Sequence, residues 1–117
     1  LMAIHSVFEE RESWSDEFFT LGCPLNNLAQ EMSPIDEGFR RRIEKIFLEW
    51  REALSEALKN GQIQGTVDKS INTEESSLFI LASIEGTLSM TKNHQNKDVF
   101  YSCCRELKRY LDSLKAK

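Results

Sequence analysis

The side chains best suited to chemistry in this chain of 117 residues are three cysteines, two histidines and one isolated carboxylate. Cys23 stands before a proline at a predicted helix start, a position expected to lower the pKa of a thiol. A thiol nucleophile also needs a neighbouring base, for which only His5 and His94 are available. Neither histidine lies at a spacing that brings it beside Cys23. The sequence therefore predicts no catalytic residue, and the chain is not expected to be an enzyme.

Metal binding is not indicated either. Cys103 and Cys104 are adjacent in sequence, and together with His94 they match no zinc-ligand spacing. We expect Cys103 to be buried on its helix and Cys104 to lie at the edge of the same face. An odd number of cysteines favours reduced thiols, and hence a cytoplasmic protein. Without a glycine-rich phosphate loop, no cofactor is predicted.

Glu85 is the only charged residue between Glu75 and Lys92. Two interpretations stay open for it. The carboxylate lies at the edge of a groove that solvent reaches, or it has a function, facing a ligand cavity or pairing across a subunit interface.

Composition narrows the class of protein. Fifteen basic and nineteen acidic residues give a net charge of −4, and the two signs are mixed along the chain. No basic stripe therefore points to nucleic-acid binding by this segment. The most apolar stretch, residues 76–91, is too short to span a bilayer and contains Glu85, so no membrane association is expected. Few prolines and glycines, with little strand-like alternation, predict one all-α domain over residues 1–117.

Hydrophobic spacing of three and four residues predicts about five helices. A break is expected at the segment FFTLGC, residues 18–23. The third helix is predicted to start with Ser33 as cap and Pro34 at its first position, and to end at Gly61. Asn72 is predicted to cap the fourth helix together with Glu75. The predicted helices cover residues 1 to about 17, 24 to about 32, 34–60, 73 to about 94, and 97 to about 114.

The fourth helix is apolar on two faces. One face is aliphatic, and the opposite face is rich in small residues and suits close packing of another helix. A domain this small can cover only one of them, so the other is expected to pack on a second copy of the chain. The last helix carries a stripe close to a heptad seam. The first face consists of Ile80, Leu81, Ile84 and Leu88; the second consists of Phe79, Ala82, Ser83, Gly86, Ser89 and Met90.

The order of these pieces resembles the C-terminal regulatory domain of tetracycline-repressor (TetR) family transcription factors. The segment IEGTL, residues 84–88, is similar to the penultimate helix of that family. The resemblance is strongest to a subgroup with a Gly-Cys-Pro-x-x-Asn-Leu-Ala motif, which here is formed by Gly22, Cys23, Pro24, Asn27, Leu28 and Ala29.

The resemblance implies an antiparallel helical bundle whose last two helices form a four-helix bundle in a homodimer. It implies a regulator, expected to be a repressor, that binds a small hydrophobic effector. Operator DNA would be bound only by an N-terminal helix-turn-helix domain, which is missing here. Because the first predicted helix begins uncapped, we expect a fragment. The alternative is a helical dimerisation or interaction module without a ligand site.

Two sets of candidate site residues follow. Two roles stay open for Asn27, which either faces the cavity or caps neighbouring backbone groups. The predicted ligand-binding residues are Phe18, Cys23, Asn26, Phe47, Trp50, Ile84 and Leu88. The predicted dimer interface consists of Phe79, Ala82, Ser83, Gly86, Met90, Phe100, Leu107, Tyr110 and Leu111.

Overall fold

A computed structural model describes the backbone of residues 16–117 and the side chains of residues 19–117. This part of the chain is all-helical, as predicted, and its only β-type pairing is an isolated antiparallel bridge between Val67 and Lys115. Most of the helix predicted up to residue 17 lies outside the described residues. The helices are α1 (Asp16–Leu21), α2 (Pro24–Met32), α3 (Glu37–Gln64), α4 (Thr73–His94) and α5 (Lys97–Ser113).

Helix α1 continues through part of the segment where a break was predicted. Phe19 is buried there and packs edge-on against Phe100, with ring centroids 5.0 Å apart. Burial of this ring favours a helical turn that the local sequence pattern does not indicate. The chain changes direction at Gly22, whose φ of 73° suits glycine. Pro24 then occupies the first turn of α2, as predicted.

The predicted start of α3 was wrong. The helix begins at Glu37, and its cap is Asp36, whose Oδ1 accepts a hydrogen bond from the Phe39 N–H at 3.1 Å. Ser33 instead closes α2, donating its backbone N–H to the Ala29 carbonyl at 3.1 Å. A carboxylate at the N-cap satisfies an unpaired N–H and complements the helix dipole.

The predicted end of α3 was also wrong. Gly61 stays inside the helix and is buried, whereas Gly65 takes the left-handed C-cap conformation with φ 82°. Val67 packs directly on Gly61, and a Cβ at that glycine would lie 2.4 Å from the Val67 Cγ2. The glycine at this position is therefore required by a close approach and not by a turn.

Helix α4 is the centre of the bundle, packing against α1, α3 and α5. It starts as predicted, with the Asn72 side chain accepting a hydrogen bond from the Glu75 N–H at 3.0 Å. The aliphatic face of α4 is covered, because Ile80, Leu81 and Leu88 are buried. Two clusters form the core. One contains Leu58, Ile80, Leu111 and Leu114; the other contains Phe19, Cys23, Leu88, Phe100 and Cys104.

Helix α5 directs its apolar stripe into its own protomer. Phe100, Leu107 and Leu111 are 2%, 6% and 0% exposed. These three residues were predicted to contact a second copy, and the structure corrects that expectation, since the stripe is used to cover α4. The burial of the two neighbouring cysteines is the reverse of the prediction: Cys104 is buried and Cys103 is only half-buried.

Candidate functional site

A cleft of about 250 Å³ opens between α3 and α4. Helix α2 contributes one amide to its edge, so three helices position the site. Four of its residues come from α3, where spacing of three and four places them on one stripe of the helix. The lining residues are Asn26, Glu44, Phe47, Leu48, Arg51, Leu78, Leu81, Ala82 and Glu85.

The apolar wall of the cleft contains Phe47, which was predicted to bind ligand. The predicted Trp50 does not line the cleft; it packs edge-on against Phe47, with ring centroids 5.8 Å apart, and stays 40% exposed. Of the other two residues predicted for the ligand site, Leu88 lies in the core and Ile84 is half-buried against both core clusters; neither lines the cleft. The side chain of Phe18 is outside the described residues.

The two adjacent amides of α2 divide their roles. The Asn26 Nδ2 donates a hydrogen bond to Ser89 Oγ at 3.0 Å, which ties α2 to α4 at the edge of the cleft. Asn27 turns away from the cleft, and its Nδ2 donates to the Leu21 carbonyl at 2.7 Å. The backbone-capping alternative for Asn27 is thus confirmed. Lys92 also donates to Asn27 Oδ1 at 3.3 Å, so the turn between α1 and α2 is anchored on α4.

Glu85 is the carboxylate that the cleft places in the most unfavourable surroundings. Burial raises its pKa above the ordinary value, and a hydrogen bond with the Cys23 thiol acts in the opposite direction. Its Oε2 is buried and has no hydrogen-bond partner among the described residues. Glu85 lines the cleft, a position that fits the edge of a groove as well as a ligand cavity.

Arg51, on α3, lines the same cleft as Glu85. Its Nε is buried, and among residues 16–117 it has no hydrogen-bond partner. A buried polar group without a partner costs about 1–3 kcal/mol, and most such groups in proteins are satisfied. Arg51 and Glu85 therefore line one cleft, and each holds one buried polar atom without a partner among the described residues.

Cys23 lies behind Glu85 rather than on the cleft surface. It is 8% exposed and belongs to the core cluster that contains Leu88 and Phe100. Burial raises the pKa of its thiol, and the charge of Glu85 adds to the effect, while a hydrogen bond to the Asn26 backbone opposes it. The predicted lowering of this pKa was wrong, because desolvation outweighs the favourable helix start.

Sequence reasoning missed Arg51, Glu44, Leu48 and Leu78 as cleft residues. Arg51 and Glu44 are charged residues on a long amphipathic helix, and such residues are usually solvated. The signal that could have identified Arg51 and Glu44 is their spacing of three and four residues from Phe47. This spacing places the two charged side chains on one stripe of α3 with the apolar Phe47 and Leu48.

A second surface, here called the α4 outer face, consists of Phe79, Ala82, Ser83, Gly86 and Met90. Phe79 and Met90 are 53% and 51% exposed, and Ala82 and Gly86 are exposed as well. A Cβ added at Gly86 would meet no atom within 4 Å. The half-buried Tyr110 of α5 borders this surface and packs on Phe79 with ring centroids 4.8 Å apart. These positions are the ones at which the sequence predicts an interface.

Among residues 16–117, no cluster of histidine, cysteine and acidic side chains is arranged to hold a metal ion. Within the same part of the chain, each helix is too short or too polar to cross a bilayer.

Comparison with known proteins gives a consistent result. The family described as tetracyclin repressor-like, C-terminal domain, matches residues 1–107. The HTH-type transcriptional repressor DhaR of Mycobacterium sp. (strain GP1) is 25% identical over 77 residues, which are 66% of this chain and 39% of the relative. An uncharacterized HTH-type transcriptional regulator in the lacX 3′ region of Lactococcus lactis subsp. lactis is 32% identical over 81 residues, 69% of this chain and 39% of the relative.

The matched segment thus spans well under half the length of each of these relatives. No solved structure matches the chain.

Proposed function

The chain belongs to the family of tetracycline-repressor-like C-terminal domains, and from this membership we propose that it is the regulatory domain of a transcriptional regulator. In this proposal the domain forms a homodimer and binds a small effector. Two relatives are named as HTH-type regulators, one of them as a repressor. We extend that role to this chain, with operator DNA bound by a helix-turn-helix domain outside it. Such a regulator acts in the cytoplasm.

The observation that carries the dimer is the α4 outer face. Phe79 and Met90 are each about half exposed, and the small residues Ala82 and Gly86 lie exposed on the same side of the helix. Small residues let two helices approach closely, and burying large apolar side chains stabilises the contact by about 25 cal/mol per Å². A second copy presenting the same face satisfies both features, as two-fold dimers do.

The observation that supports effector binding is the cleft between α3 and α4. It combines an apolar wall with a few converging polar groups, the usual composition of a small-molecule site. A helical interaction module with a filled interior is the alternative function. It offers no reason for Arg51 and Glu85 to hold unpaired polar atoms in a cleft.

A coupling between the two surfaces follows from α4 itself. Ala82 lines the cleft and also lies on the α4 outer face, so one helix separates effector from partner. An effector that shifts α4 would change the relative orientation of the two subunits. The recognition helices must meet half-sites about one DNA turn apart, so a coupling of about 1–3 kcal/mol alters operator occupancy.

Sedimentation equilibrium of the chain at micromolar concentration tests this proposal. We expect a dimer for the wild type and a monomer for Gly86→Arg. The protomer has open space at Gly86, so the substitution should leave its fold intact and block only the close approach of a partner. Glu56→Arg, at an exposed site on α3, is the control and should remain dimeric. A monomeric wild type, or a dimer unaffected by Gly86→Arg, would contradict the proposed assembly.

A further inference from the structure

We propose that the effector held between α3 and α4 is a small amphipathic molecule which offers a hydrogen-bond donor to Glu85 and an acceptor to Arg51. The inference rests on the proposed function, because it names the chemical class of the effector. An amide on an aromatic or aliphatic body is the simplest example of the class.

The polar part of this assignment comes from two buried atoms. Arg51 Nε can only donate a hydrogen bond, and an ionised Glu85 Oε2 can only accept one. Both are buried and lack partners among the residues described. A ligand that carries a donor and an acceptor can satisfy both groups, whereas a hydrocarbon leaves both without a partner.

The apolar part comes from the wall of the same cleft. Phe47 and Leu48 face it from α3, and Leu81 and Ala82 face it from α4. This surface suits an aromatic ring or a short aliphatic body, in line with the hydrophobic effector expected from the sequence. The two polar groups add a requirement that the sequence did not predict.

The size of the cleft limits the ligand further. Its volume of about 250 Å³ lies below the range of roughly 300–1,000 Å³ found for sites of drug-sized molecules. The part of a ligand that lies within the cleft is therefore about the size of a single ring with one polar substituent.

Charge balance also favours a neutral ligand over a strongly charged one. The cleft is lined by Glu44 and Glu85 on the acidic side and by Arg51 on the basic side. An anion would meet two carboxylates, and a cation would leave Arg51 Nε without an acceptor. A neutral group with both a donor and an acceptor satisfies Glu85 and Arg51 without adding charge.

The test uses three probes that share one ring: benzamide, acetophenone and toluene. Benzamide has donor and acceptor, acetophenone has only the acceptor, and toluene has neither. Protein-observed NMR titration of the full chain would follow the backbone amides of Leu81, Ala82 and Glu85. We expect benzamide to bind at least about tenfold more tightly than toluene, with acetophenone between them, since a hydrogen bond to a charged group gives that difference.

Substitutions then assign the two contacts. Glu85→Leu and Arg51→Met should each weaken benzamide at least about tenfold and leave toluene unchanged or tighter. Glu56→Leu, at an exposed site on α3, is the control and should bind benzamide as the wild type does. The comparison of probes on the wild type needs no variant, so the test holds even if a substitution prevents folding.

The outcomes separate this inference from the function on which it rests. If toluene binds the cleft as tightly as benzamide, or if both substitutions leave benzamide binding unchanged, the amphipathic assignment is overturned while effector binding stands. If none of the probes shifts these amides at millimolar concentration, the inference fails and the effector part of the proposed function fails with it.

Discussion

Glu85 holds its proton more tightly in the folded protein than in the unfolded chain, because burial raises its pKa above the ordinary value of 4.5. The stability that this carboxyl group contributes is fully present below the unfolded pKa and is lost as pH rises through the raised pKa. Glu85→Gln keeps the shape and removes the charge. We expect it to melt at a higher temperature than the wild type near pH 7, with the difference closing toward about pH 4.

Thermal unfolding followed by circular dichroism over this pH range checks the expectation. Glu56→Gln removes an equal charge from an exposed position on α3 and serves as the control. Parallel pH profiles of the wild type and Glu85→Gln would show that the carboxyl group experiences no unfavourable environment in the fold.

Cys23 gives the second prediction at the scale of single residues. Because burial raises the pKa of its thiol and leaves the residue 8% exposed, little reactive thiolate is available near neutral pH. We expect iodoacetamide to modify Cys23 at least about tenfold more slowly than free glutathione. Peptide mass spectrometry after timed alkylation resolves the site. Modification of Cys23 as fast as that of glutathione would contradict the burial of this residue and would support a thiol-based activity.

At the scale of elements, Gly61 is the position where packing decides a helix. Alanine normally favours a helix interior over glycine, but here its methyl group would lie 2.4 Å from a side-chain atom of buried Val67. Gly61→Ala is therefore expected to destabilise the protein by about 1–3 kcal/mol. Asn60→Ala, at the adjacent exposed position, should instead be neutral or stabilise by about 0.5 kcal/mol. Urea unfolding of the two variants measures both changes in the free energy of unfolding. A Gly61→Ala protein as stable as the wild type would contradict the packing described.

The same glycine shows why helix ends were harder to predict than helices. Gly61 and Gly65 are both acceptable C-caps, and the sequence does not show that Val67 folds back onto the first of them. Ser33 and Asp36 posed the same choice at the helix start. The periodic apolar positions, in contrast, located the helices α2 to α5, since periodicity averages over many residues.

The candidate site was predictable only in part, for the same reason. Phe47 and Asn26 could be chosen from residue type and position, and both line the cleft. Arg51 could not, because a charged residue on a long amphipathic helix is usually solvated, and its burial depends on how α3 lies against α4.

At the scale of the whole molecule, the main correction concerns which helix offers a surface to a partner. The stripe of α5 was predicted to contact a second copy, yet Phe100, Leu107 and Leu111 are buried within the protomer. One small bundle has to cover the inner face of α4, and α5 supplies that cover. The outer face of α4 keeps Phe79 and Met90 half exposed, as expected for the unpaired surface.

Dimerisation also predicts how the stability of the protein responds to concentration. If folded chains associate and unfolded chains do not, the melting temperature rises with chain concentration by mass action. We expect this rise for the wild type and not for Gly86→Arg. Scanning calorimetry at several concentrations checks it, and a wild-type melting temperature independent of concentration would oppose association.

The central claim is that the α4 outer face of one chain meets the same face of another. Isotope-filtered NMR on a mixture of labelled and unlabelled chains measures this contact directly. We predict intermolecular nuclear Overhauser effects that join the Phe79 ring and the Met90 methyl of one chain to the Ala82 methyl of the other. A spectrum without intermolecular effects, or with effects confined to α3, would contradict the account.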